Sequence, residues 1–403
     1  MNNLRTLLLL CCLSLAPAVA AESTLSSVPE PFRGHNPASI YTIGYADLDA
    51  LLKVMVIDVG RSNREKAAPT QPKIGTKMKV NVKRSTINEG NRFYFEEFED
   101  NEEYRNLLQS MRDSLEEVPT IVPLEHFSRD EQLAYWLNLY NLTLLNEIVA
   151  VYPKRSLKKV LTGKKSVLAK KVLDIAGVPL SLDDIQHTIL KQNYDSDPLV
   201  LYGLYQGIIG GPSIRKRAYT GESVRRLLAL NAAEFINSNR GTYSDSEKVF
   251  SVSSLYERNA AWFPAFDADL RAHLLAFLEG DERGELQAAS SIKPNIDDWT
   301  VTDVYGTYWE IGGSVADNSA ALLDSVKYSF VDNAQGGQMV SGNLSASSSM
   351  VQGKSVTLQR FSPQLLELLY VIKEKEEATN LTKGVVTVEE MGQAPEEPEG
   401  DQE

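Results

Sequence analysis

The residues that could do chemistry in this chain gather in two stretches, Trp136 to Asn141 and Gln186 to Arg217. In the first, Asn138 and Asn141 stand three apart, a spacing that sets two side chains on one face of a helix, with Tyr140 between them. Two amides and a phenol offer hydrogen bonds but no proton transfer near neutral pH, so they either line a cleft or bind a neighbouring backbone. In the second, His187 titrates near neutrality, but no thiol, serine or carboxylate partner stands in local register. It reads as a structural side chain or as an acid–base group. Gly207, Gly210 and Gly211 before Pro212 suit either an amide nest for an anion or the turn the chain needs there. Ser213 lacks the G-x-S-x-G elbow of a serine nucleophile. Arg215, Lys216 and Arg217 read as solvated surface, and beside the glycines they leave an acidic ligand open.

Thiol chemistry is excluded by the other end of the chain. Arg5, an apolar run from Leu7 through Leu15 and the small residues Ala18, Val19 and Ala20 form the pattern of a secretory signal peptide. The run is well short of the roughly 20 apolar residues that cross a bilayer, so no transmembrane span is expected in the mature chain. Both cysteines, Cys11 and Cys12, lie inside that run, so cleavage after Ala20 or Ala21 leaves neither a disulfide nor a cysteine nucleophile. A thiol-free exported protein of this size fits a bacterial periplasmic or extracellular setting. The four histidines, His35, His126, His187 and His273, show no metal-ligand spacing, so neither a metal nor a cofactor is expected. A formal net charge of −13 argues against nucleic acid as a partner.

Trp136-Leu-Asn138-Leu-Tyr140-Asn141 resembles the W-x-N-x-Y-N signature of the domain of unknown function 547 family, and Tyr152-Pro153 fits it as well. Asp184 to Leu190 is similar to the family's D-I-E-H-x-I-L segment, and Asp197 to Gly207 to its D-P-R-V-H-F-A-L-x-C-G segment. The resemblance runs from about Asn36 to about Ile311. It implies a scaffold related to papain-like cysteine hydrolases, with the glutamate, histidine and cysteine of the last two segments as the working group. Here Gln186, Leu201 and Gln206 stand at those three positions. An amide or an alkyl group supplies neither a thiolate nor a base. The resemblance therefore implies no catalytic residues and a degenerate cleft of Gln186, His187, Leu201 and Gln206, with Trp136, Asn138, Tyr140, Asn141, Gly207, Gly210 and Gly211 in the cleft or in a supporting network.

The elements that must position these residues follow from caps and periodicity. Ser128 and Glu131 form a capping box before a helix running to Tyr152, whose Leu133, Trp136, Leu137, Tyr140, Leu144, Leu145 and Ile148 spread round more than one face. Ser181 opens a second helix to about Gln192, and Leu199 to Gln206 alternates like a strand. Further helices are expected at Asp47–Val59, around Leu107–Leu115, at Gly221–Asn239 ending on Gly241, at Asp267–Leu278 ending on Gly280, and after Pro363. Short strands are expected at Lys79–Lys83, Arg92–Phe98, Val249–Val252, Thr300–Tyr305 and Tyr328–Val331, and a flexible loop at Ser341–Gly353.

Helices outweigh strands and do not alternate with them, which reads as α+β: a helix-rich scaffold with a small mixed or antiparallel sheet and a less regular C-terminal extension. The divisions are a signal peptide at 1–20, an extended arm at 21–40, the family-like domain at 41–311, an extension with a terminal helix at 312–380 and an acidic disordered tail at 381–403. The expected function is that of an exported, non-catalytic domain that binds a small ligand or a protein, or serves as a structural partner. An active hydrolase with an unrecognised catalytic group is the alternative.

Overall fold

The computed structural model describes residues 27–64, 86, 89–246, 248–304, 345–347 and 356–359. Two apolar side chains draw the polar N-terminal arm onto the domain. Val28 and Phe32, the latter in a short 3-10 turn Glu30–Phe32, are fully buried, and the Phe32 ring meets Trp136 edge-on at 5.1 Å. Strand β1 (Tyr41–Ile43) leads into helix α1 (Ala46–Met55), and β2 (Val56–Ile57) pairs antiparallel with β3 (Arg92–Phe93). The helix expected at Asp47–Val59 thus ends early, because β-branched Val56 and Ile57 join a strand pair. The strand expected to Phe98 stops at Phe93, since Phe95–Phe98 coils into a 3-10 turn that buries both phenylalanines. Helix α2 (Glu102–Ile121) is capped by Asn101, whose side chain accepts from Tyr104 N at 3.1 Å.

Helix α3 (Arg129–Val149) is buried on nearly every side, as its apolar spread predicts. Ser128 caps it, accepting from Glu131 N at 3.2 Å. The Glu131 carboxylate does not close the box. It is buried and accepts from Ile43 N at 2.8 Å and Gly221 N at 3.1 Å, so it ties β1 and the Gly221 turn to the helix. Burial pushes its pKa up, and the two backbone donors oppose that shift.

After α4 (Lys158–Leu161), strands β4 (Leu173–Ile175) and β5 (Val178–Leu180) form a hairpin whose two turn residues, Ala176 and Gly177, lie at φ 49° and 77°. Those signs suit a type I′ turn. Ser181 and Asp184 then cap each other's backbone, with Asp184 N donating to Ser181 Oγ at 3.1 Å and Ser181 N to Asp184 Oδ2 at 2.6 Å. The helix they open is not a plain α-helix: Asp184–Leu190 is a π-helix, followed by α5 (Lys191–Asn193). The strand expected at Leu199–Gln206 is also replaced, by a 3-10 helix Pro198–Gly203. Asp197 caps it through Leu199 N at 3.0 Å and Pro198 opens it, a helix-starting pair that overrides the apolar alternation. An isolated antiparallel bridge follows instead, between Ile208 and Val301, where Ile209 N reaches Thr300 O at 2.8 Å and Thr302 N reaches Gly207 O at 3.0 Å. The strand expected at Thr300–Tyr305 is limited to isolated bridges at Thr300 and Val301 among the described residues.

Helix α6 (Val224–Ile236) is shorter than expected, and Gly241 is not its cap but part of a close turn, where a Cβ would fall 1.9 Å from Phe235 O. Strands β6 (Thr242–Ser246) and β7 (Val249–Ser253) pair antiparallel and are followed by α7 (Ser254–Arg258), α8 (Phe266–Phe277) and α9 (Gly280–Ala288). Gly280 opens α9 rather than closing α8. Strand β8 (Ser291–Ile296) adds parallel to β7. Strands β9 (Ser345–Ser347) and β10 (Val356–Gln359) complete a mixed sheet β1-β10-β9, so part of the expected Ser341–Gly353 loop is strand. The result is a helix-rich α+β fold with small mixed and antiparallel sheets. The segments expected at 1–20, Lys79–Lys83 and Tyr328–Val331, the helix expected after Pro363 and the expected acidic tail lie outside the described residues. No helix among the described residues is long and apolar enough to cross a membrane.

Candidate functional site

The π-helix, α3, the segment after the 3-10 helix and the end of α7 meet around one cavity of about 80 Å³. Gln186, His187, Gln206 and Tyr140 all line it. π-Helical turns often accompany functional sites, and this one carries both Gln186 and His187. The Gln186 amide is matched on both ends: its Oε1 accepts from the Tyr140 hydroxyl at 3.3 Å and its Nε2 donates to Asn259 Oδ1 at 2.6 Å. Asn259 is itself fixed by donating from Nδ2 to Leu255 O at 2.9 Å. A carboxylate at position 186 would present only acceptors to Asn259 Oδ1. Gln206 Oε1 accepts from Arg258 Nη2 at 2.9 Å, and the Arg258 guanidinium lies over Trp299, 4.6 Å from the ring centroid.

The electrostatics of the wall follow from burial. Burial drives the Tyr140 hydroxyl far above its ordinary pKa and lowers that of Arg258. His187, exposed at the cavity mouth, has its pKa lowered mainly by desolvation, with Asp183 opposing. Asp183 is raised, again mainly by desolvation. The net effect favours the neutral imidazole of His187. Among the residues lining the cavity there is no thiol or aliphatic hydroxyl, and among the described residues no cluster of three or more His, Cys, Asp or Glu could hold a metal.

Leu201, expected in the same cleft, is a correction. It is 1% exposed in the hydrophobic core and does not line the cavity. Positions 201 and 206 are an odd number of residues apart, so even a strand would turn them to opposite faces, and in the observed 3-10 helix the alkyl group gains by burial in the core. Asn138 and Asn141 do not line this cavity either. Asn138 donates to Tyr219 O at 2.8 Å and accepts from Tyr219 N at 2.9 Å, and Asn141 makes the same paired contact with Gly203 O and Tyr205 N, each at 2.9 Å. Trp136 is a core residue packed on Phe32 and Tyr135. The glycines serve close packing: at Gly207, φ 69°, a Cβ would fall 2.1 Å from Ile148 Cδ1, and at Gly210 it would fall 2.8 Å from Asp298 O. Ser213 Oγ accepts from Asn91 N at 3.1 Å and Arg240 Nη2 at 3.0 Å, a structural role.

Besides Leu161 and Leu168, four lining residues with polar atoms are not singled out by the sequence: Asp183, Arg258, Asn259 and Trp299. The four-residue spacing of Asp183 and His187 was a visible signal. Nothing local marks the other three. Residues 124–236 match the family described as protein of unknown function, DUF547. The DUF547 region holds α3, the π-helix and the 3-10 helix, and all three motif segments, Trp136–Asn141, Asp184–Leu190 and Asp197–Gly207, fall inside it. Arg258, Asn259 and Trp299 fall beyond it. No curated protein and no solved structure matches the chain.

Proposed function

We propose that this is an exported, non-catalytic domain that binds a small ligand in the Gln186–Gln206 cavity, on a scaffold related to papain-like hydrolases. One observation carries the reading: both glutamines at the family's working positions line the same cavity and are hydrogen-bonded to other side chains of its wall, Tyr140, Asn259 and Arg258. These contacts suit amides and hold them in place, which is the arrangement of a recognition wall rather than of a nucleophile with its base. Export follows from the N-terminal pattern read above.

The test pairs an activity screen with a ligand screen on the full chain. Model esters, amides and peptides should show no turnover, whereas a thermal-shift screen of small metabolites should raise the melting temperature, and Gln206→Leu should remove that shift. Turnover that disappears in His187→Ala would overturn the proposal. Export is checked by sequencing the secreted protein, expected to begin at Ala21 or Glu22; a chain that begins at Met1 would count against it.

A further inference from the structure

The contacts within the cavity wall leave two opposite charges without a direct ion pair among the described residues, Asp183 feeling His187 only through space. Arg258 donates to neutral acceptors, Ser254 Oγ at 2.6 Å and Gln206 Oε1 at 2.9 Å, and among the described residues no carboxylate forms an ion pair with it. Asp297 and Glu257 act on it only through space. A guanidinium has five N–H donors in a planar fork, so donors remain for a ligand. Asp183 lines the same cavity and, among the described residues, accepts no hydrogen bond and joins no ion pair. Both charges act on the Tyr140 hydroxyl, Asp183 raising its pKa and Arg258 lowering it, so both lie within electrostatic reach of one group.

The remainder of the wall includes Leu144, Leu161 and Leu168 beside the Trp299 ring. The Trp299 Nε1–H is buried and has no acceptor among the described residues. A partly buried cation and anion left apart on one apolar-backed wall keep an unmet desolvation cost, which a ligand carrying the complementary charges relieves. The cavity of about 80 Å³ takes roughly five to eight water-sized groups, the size class of an amino acid such as L-valine.

We infer that the cavity holds a small aliphatic amino acid as its zwitterion, the carboxylate on Arg258, the ammonium on Asp183 and the side chain against the leucines. The assignment rests on the binding function proposed above. Carboxylate and guanidinium pair through parallel charge-assisted hydrogen bonds, which fixes the orientation of the ligand as well as its charge.

Isothermal titration of the full chain at neutral pH with L-valine, isobutylamine and 3-methylbutanoate tests it, because the last two lack the carboxylate and the amino group respectively. L-valine should bind at least about tenfold more tightly than either analogue, since each leaves one partly buried charge unmatched. Arg258→Gln should abolish the preference for L-valine over isobutylamine, and Asp183→Asn the preference over 3-methylbutanoate. Equal affinity for valine and either analogue, or no heat from any of the three, would overturn the assignment, and the unmodified chain decides this even if a variant does not fold. Silence toward valine alongside a screened ligand that Gln206→Leu abolishes would sink the amino-acid assignment and leave the binding function standing. Turnover lost in His187→Ala would sink both.

Discussion

Asn138 and Asn141 direct their amides to backbone, each closing a donor–acceptor pair with a neighbouring segment, whereas Gln186 and Gln206 direct theirs to side chains that border open space. All four are amides within the DUF547 region. The first pair completes the hydrogen bonding of buried peptide groups and has little capacity left for a ligand. The second pair holds Tyr140, Asn259 and Arg258 around a cavity, and Arg258 keeps donors free. The same functional group thus closes backbone hydrogen bonds in one place and orders the side chains of a cavity wall in the other, and the partner's identity makes the difference.

The most damaging test of that contrast is Asn138→Ala. It leaves the Tyr219 N–H and C=O without their partner in a buried place, at about 1 to 3 kcal/mol for each group, so urea denaturation should show a loss of about 2 to 6 kcal/mol. A loss near zero would mean the paired contact is not what holds the Tyr219 segment.

The two cavity-distant and cavity-facing histidines sharpen it next. His273 stacks on Tyr202, accepts or donates a hydrogen bond with its hydroxyl at 2.8 Å, and has its pKa pushed down by burial to about 4. Its unfolded value is about 6.5, so the unfolded chain takes up the proton first as the pH falls. Stability is full above about pH 6.5 and decreases by about 3 kcal/mol as the pH falls to about 4. Denaturation across this range should show the acid limb flattened in His273→Phe and retained in His187→Gln. The reverse would place the titrating group at the cavity mouth.

Ser128→Ala removes one local cap and should cost about 0.5 to 2 kcal/mol by thermal or chemical melting. Because Glu131 serves Ile43 and Gly221 rather than the cap, Glu131→Ala should weaken the protein more than Ser128→Ala does. Equal losses would restore the local capping box as the main role of Glu131.

The smallest stability effect belongs to Gln206→Ala, under about 1 kcal/mol, since water entering the cavity replaces the lost amide on Arg258. Its thermal-shift response to the ligand should nevertheless vanish. A large destabilisation with ligand response intact would assign Gln206 to the fold and not to the site.

What the sequence determined by itself is what residues a few positions apart decide together. The caps at Ser128 and Ser181, the all-round burial of α3, the strand at Val249 and the helix-rich α+β class all follow from short-range hydrogen bonds and apolar periodicity. The motif segments also nominated Gln186, His187 and Gln206, which the structure brings to one cavity. Tertiary structure decided the rest. It turned Leu199–Gly203 from apparent strand into a 3-10 helix and sent Leu201 to the core, because a helix-starting Asp197-Pro198 pair and burial outweigh alternation. It chose the partners of Glu131, which lie 88 and 90 residues away, and it brought Asn259 to Gln186 across 73 residues and Arg258 to Gln206 across 52. Hydrogen-bond partners at such separations are selected by which elements pack together, and no local pattern records that choice.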